Sequence, residues 1–160
     1  MNIIKNFLSN KITLAVLKIG LGFVFIAASM GKIMDPQVFA KDVYSYVLLP
    51  PAMVPLFAYT VPWIEFFAGL LLMLDIAPQS CSLIINALLV MFISAIFIDI
   101  KRGIEIECGC FDFLFPKENI GWNTINRDII MLVIGLIIMV FDKNDLKLYG
   151  LIRYKEIKTK

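Results

Sequence analysis

ITLAVLKIGLGFVFIAASMG, residues 12–31, decides the fold. Twenty nearly continuous apolar residues, wound as a helix at ~1.5 Å per residue, span the ~30 Å hydrocarbon core of a bilayer. A cleaved secretory leader also begins with basic residues and an apolar stretch. Here the run is long for a leader, and Lys18 interrupts it. Ala27 and Gly31 form a small-xxx-small pair that suits close helix packing, while Gly20 and Gly22 either do the same or face lipid.

The whole chain agrees with that reading. Of its 160 residues 60% are hydrophobic and 18% charged, with a mean hydropathy of +0.85. Soluble domains have about 45–50% apolar and about 25% charged residues. A formal charge of +2, with no basic stripe interleaved with aromatics, gives no reason to expect a nucleic-acid partner. There is no histidine, so any proton transfer must use carboxylates, thiols, tyrosines or water. Three cysteines make neither a disulfide framework nor a four-thiolate zinc site, and no metal site is assigned.

Three more apolar runs follow, at about 55–74, 81–100 and 122–141. The second contains Pro62, which membrane helices tolerate, and Glu65 about halfway along. A carboxylate there needs a partner on another helix. The fourth is apolar only from Ile129 to Phe141 and must recruit residues 122–128, including Arg127 and Asp128, to cross. The expected architecture is all-α: an integral membrane four-helix antiparallel bundle forming one domain over 1–160, with a basic tail at 142–160. In the first loop Asp35-Pro36 reads as a helix N-cap and N1 proline. The amphipathic stretch from Gln37 to Leu49, stopped by Pro50-Pro51, predicts a short helix flat on the membrane interface, with Tyr44 and Tyr46 at headgroup level.

The chemistry-bearing residues lie between the last two spans, in Glu107-Cys108-Gly109-Cys110-Phe111. A thiolate attacks a disulfide, and a second thiolate resolves the mixed disulfide. Gly109 lets the backbone bend between the sulfurs. A Cys-x-Cys bridge closes a small ring, and strained bridges are the labile ones. Against this, Glu105, Glu107 and Asp112 disfavour the thiolate, with Lys101 and Arg102 as an offset. Cys81, at the start of the third span, reads as a small apolar filler.

Four spans put both termini on one side. Lys5, Lys11, Lys143, Lys147, Arg153, Lys155, Lys158 and Lys160 lie there, against Lys32, Lys41, Lys101, Arg102, Lys117 and Arg127 opposite. The positive-inside rule then makes the termini cytoplasmic and places Cys108 and Cys110 on the extracytoplasmic side, where disulfides persist. Depth counting places Lys18 ~20 Å and Glu65 ~15 Å below the outer helix ends, so the two are expected to pair across the bundle, as a structural ion pair that fixes helix rotation or as part of a proton path from the dithiol. Lys32, Asp35, Asp99 and Arg127 fall near the outer interface, either as a polar floor beneath the cysteine loop or as ordinary interfacial charges.

Several of these stretches resemble the MauE/DoxX-like membrane proteins. They are Gly22-Phe23-Val24-Phe25, Gly31-Lys32-Ile33-Met34-Asp35-Pro36 with Phe39, and Tyr46-Val47-Leu48-Leu49-Pro50. Further on come Pro62-Trp63-Ile64-Glu65 with Gly69-Leu70-Leu71-Leu72, then Cys108-Gly109-Cys110-Phe111 and Arg127-Asp128. The likeness covers roughly residues 14–140. The chain departs from the pattern at Asp112, where the family usually has glycine, and at Lys18, where it usually has arginine, a bidentate donor. The resemblance implies a bacterial inner-membrane protein that supports extracytoplasmic thiol–disulfide exchange or disulfide-dependent maturation, working with a thioredoxin-like protein or a secreted client. Two other readings stand beside it: a non-catalytic docking subunit whose cysteines form a structural bridge, and a quinone-linked disulfide oxidase. A quinone is the one cofactor considered, and it needs a cavity beside the dithiol.

Overall fold

A computed structural model describes residues 11–46, 50–102 and 122–142, apart from the side chains of Asp99, Arg102, Trp122 and Asn123. The described chain is helical, with no strand among those residues. Its helices are α1 (Lys11–Met34), α2 (Pro36–Ser45), α3 (Val54–Met73), α4 (Pro78–Arg102) and α5 (Trp122–Phe141). All but α2 contain a stretch of at least 18 residues long and apolar enough to cross a membrane.

These helices are apolar on both faces, which is what a bilayer selects. One side of α1 packs Leu14, Leu21, Phe25 and Ala28 into the core, while Ile12, Val16, Ile19 and Phe23 stand exposed on the other. The centre is closed by Phe25, Leu72, Ile85, Leu89, Ile96 and Ile138, all essentially inaccessible.

The helices run alternately up and down. Lys18, early in α1, bonds Asp75 just past the end of α3 and Asp142 just past the end of α5. Gln79, at the start of α4, also donates to the Asp142 backbone carbonyl at 2.5 Å. All these groups share one end, called here the Lys18 end. The end of α1 and the starts of α2 and α3 are at the other, the Lys32 end.

Packing is uneven. α1 packs most extensively on α3, and α4 on α5; the seams between these two pairs are thinner. Glycine explains the first pair. A Cβ on Gly22 would sit 2.6 Å from the Gly69 carbonyl oxygen, and one on Gly69 would sit 2.8 Å from that of Gly22. Gly20 has nothing within 4 Å of the corresponding position. Of the two alternatives left open for Gly20 and Gly22, each residue therefore takes a different one. In the second pair Gly135 is the notch: a Cβ there would collide with the Asn86 side chain.

The two pairs are joined by a turn built without glycine. The Ile76 N–H bonds the Leu71 carbonyl at 2.9 Å and the Asp75 N–H bonds that of Leu72 at 3.2 Å. Those bonds, with Asp75 at φ 58°, make a Schellman closure in which aspartate takes the position glycine usually fills. Ala77, at φ 47°, is also left-handed, a conformation that costs an L-residue roughly 1–2 kcal/mol.

The short helix is capped as the sequence predicts, with the Val38 N–H donating to Asp35 Oδ1 at 3.3 Å. It ends at Ser45, four residues before the expected Leu49. Its inner face carries Phe39, Val43 and also Tyr46, which is buried rather than at the headgroups; Tyr44 is exposed.

Candidate functional site

Two buried charge centres lie inside the bundle, one at each end. At the Lys18 end the ammonium is 7% exposed as a residue and is held by Asp75 and, at 2.6 Å, by Asp142. Asp142 is buried, whereas the Asp75 side chain is 47% exposed.

At the Lys32 end, Lys32 Nζ donates to Glu65 Oε1 at 3.0 Å and Oε2 at 2.8 Å, with both residues almost wholly buried. The ammonium also lies 5.1 Å from the Phe39 ring centre and 4.7 Å from that of Phe92, within the ~6 Å reach of cation–π attraction. Asp128 is 1% exposed, within electrostatic range of Lys32, and accepts from Arg127 Nε and Nη2 at 3.3 Å each. The centre thus draws on all five helices. A lysine among carboxylates and aromatic rings can bind helices together.

The expected Lys18–Glu65 pair does not form. Helical side chains lean toward the helix N-terminus. On α1 that direction carries Lys18 down to Asp75 and Asp142. It carries Lys32 down into the bundle, where Glu65 on antiparallel α3 leans up to meet it. Depth counting alone omits this lean.

Of the other candidates, Asp35 is the exposed cap of α2. Arg127 stands beside Asp128, to which it donates; the sequence singles out the arginine but not the buried aspartate next to it. Asp75 and Asp142 were also missed; the available signal was a carboxylate just past two apolar runs, at the end toward which Lys18 leans. The Asp99 side chain, Cys108 and Cys110 lie outside the described residues, as does the tail beyond Asp142. Cys81 is buried, and its thiol donates to the Ile76 carbonyl at 3.5 Å. Between α1, α2 and α3 is a cavity of about 240 Å³ lined by Lys32, Ile33, Pro36, Ala58, Tyr59, Pro62 and Trp63.

These features define a multi-pass α-helical membrane protein with ionic centres buried at both ends of its bundle. The family described as methylamine utilisation protein MauE matches residues 10–141, and the chain belongs to it. It is 27% identical to the methylamine utilization protein MauE of Paracoccus denitrificans over 134 residues, 83% of this chain and 72% of that one. The namesake in Methylophilus methylotrophus is 32% identical over 88 residues, 54% of this chain and 46% of that one. A third, from Methylorubrum extorquens, is 28% identical over 103 residues, 64% of this chain and 55% of that one. No solved structure gives a significant match.

Proposed function

We propose that this protein supports extracytoplasmic thiol–disulfide exchange through Cys108 and Cys110, with a thioredoxin-like protein or a secreted client as partner. The observation that carries the reading is a Cys-Gly-Cys pair in the segment joining two membrane helices of a MauE-family protein. In the exchange, one thiolate displaces one sulfur of the partner's disulfide. The second cysteine then displaces the partner's remaining sulfur. The partner leaves with two thiols and the pair is left bridged; run backward, the same steps oxidise the partner. Lys18, Lys32, Asp35, Glu65, Asp99 and Arg127 act as supporting polar groups. The whole chain is taken as one membrane domain in a bacterial inner membrane, with cytoplasmic termini and the cysteines outside.

The test is capture of a mixed disulfide. Cys108→Ser and Cys110→Ser are expressed in cells, trapped by rapid alkylation and analysed by mass spectrometry. Either variant holding a covalent partner supports exchange. If neither does, and the double variant keeps full function, the cysteines are structural and the protein is a docking subunit, as their acidic neighbours would favour.

A second reading, quinone-linked oxidation of the pair, is favoured by the cavity between α1, α2 and α3. Its wall is almost wholly apolar and carries Tyr59 and Trp63, which suits a flat apolar ring. Reduction of an added short-tailed quinone by the purified dithiol protein, stoichiometric with loss of two thiols, would establish it.

A further inference from the structure

The charge centres fall in a pattern that neither the helix count nor the cysteines require. Lys18 and Lys32 are fourteen residues apart on α1, and Asp128 on α5 is fourteen residues before Asp142, just past that helix's end. Two heptads bring a helix back to nearly the same face, ~21 Å further along. Antiparallel α1 and α5 therefore carry matched charges at both ends of one seam, lysines on one helix and aspartates on or just past the other. Within the pairs, backbone contact at Gly22–Gly69 and the Asn86–Gly135 notch make close packing. Between the pairs the seams are thinner.

The ends of the seam differ. At the Lys18 end, Lys18 ties α1 to the α3–α4 turn through Asp75 and to the end of α5 through Asp142, while Gln79 ties α4 to the same residue. The chain crosses from one pair to the other there, through Asp75 and Ala77 with their positive φ. At the other end, Lys32 binds Glu65 within its own pair. It reaches the opposite pair through the Phe92 ring on α4 and the charge of Asp128 on α5.

We infer that α1–α3 and α4–α5 move as two rigid bodies hinged at the Asp75–Ala77 turn, with Lys32 as the latch that closes the seam at the far end. α2 travels with α1 and α3, against which it packs. The chain on both sides of residues 103–121 travels with the other pair. Opening the latch would shift α2 relative to the ends of that segment and uncover Glu65 and Asp128. The hinge holds whether or not the cysteines exchange electrons; its use in regulating them rests on the function proposed above.

The test is distance measurement by double electron–electron resonance on the full chain in nanodiscs. Spin-labelled unnatural residues leave the native cysteines in place. Exposed positions 59 and 130 report across the seam at the Lys32 end, and 16 and 140 across it at the Lys18 end. Positions 30 and 59 report within the first pair, and 97 and 130 within the second. Lys32→Met is expected to lengthen and broaden the 59–130 distance and leave the other three unchanged. Lengthening within a pair to the same extent, or no change at 59–130, overturns the inference. Should Lys32→Met fail to insert, Phe92→Leu removes a ring under the ammonium without creating an unpaired charge, and the same distances decide. With Cys108 and Cys110 both replaced by serine, the hinge result should persist, which separates it from the exchange reading.

Discussion

Replacing Lys32 should destabilise the bundle more than replacing Glu65, although each removes one member of the same ion pair. The two side chains are 3% and 2% exposed and share bonds of 3.0 and 2.8 Å. Removing one partner of a buried pair leaves an uncompensated charge and costs about 3–5 kcal/mol. Glu65→Gln is the milder case. The amide oxygen can still accept from the ammonium, and Asp128 remains within electrostatic range. Its expected cost lies at the lower end, about 3 kcal/mol. Lys32→Met leaves Glu65 in the interior without the ammonium it binds and takes one of two nearby positive charges from Asp128, which keeps Arg127. It also forfeits attraction to Phe39 and Phe92, about 0.5–2 kcal/mol for each ring. Its cost should reach or exceed about 5 kcal/mol. The double variant should be less destabilised than the sum of the singles, with a coupling of about 1–3 kcal/mol. The assay is reversible unfolding in mixed micelles, with rising mole fraction of sodium dodecyl sulfate and far-UV circular dichroism as readout. Equal costs for the two singles, or additivity in the double, would refute the picture of one lysine serving two carboxylates.

Glycine packing gives a matched pair of tests by the same assay: Gly22→Ala should cost about 1–3 kcal/mol by pushing α1 off the Gly69 carbonyl, while Gly20→Ala, facing open space, should be neutral or stabilising by up to about 1 kcal/mol. Asp142→Asn should destabilise more than Asp75→Asn, because Asp142 is buried and Asp75 is about half-exposed and screened by solvent; equal effects would count against the Lys18 centre as described. Gly135→Ala should be strongly destabilising and should be partly rescued by Asn86→Ala, which clears the colliding amide; absence of rescue would show that the notch packs against something else.

How far the sequence could be read differs by level. The all-α membrane bundle follows from apolar runs of spanning length, and even the fourth helix, which had to borrow Arg127 and Asp128, forms from Trp122. The N-cap at Asp35 was legible because Asp-Pro is a local signal whose geometry is set within four residues. What could not be read was pairing. Lys18 and Glu65 looked like partners because both are charges within apolar runs, yet the lean of their side chains sends them to opposite ends. Gly22 and Gly20 are indistinguishable by composition; only the rotation of α1 against α3 separates the close contact from the idle one. Tyr46 reads as an interfacial aromatic and is instead core, because α2 folds its inner face onto α1 and α3.

One polar residue fits none of these explanations, and it bears on how the bundle works. Asn86 is 6% exposed, and among the described residues neither end of its amide has a hydrogen-bond partner. It packs against Gly135, which stands seven residues from Asp128 and seven from Asp142, midway between the two charge centres. A buried unpaired amide costs about 1–3 kcal/mol, and leucine would fill the space without that penalty. What asparagine offers over leucine is a planar amide, whose oxygen occupies the space a Cβ on Gly135 would take. It therefore trades stability for a defined rotation of α4 on α5. That rotation aims Phe92, six residues on, and Asp128, seven residues back along α5, toward Lys32. A latch at one end of a seam can act only if the pair carrying its receiving groups is itself rigid, and the Asn86–Gly135 contact supplies that rigidity at the level where no charge can.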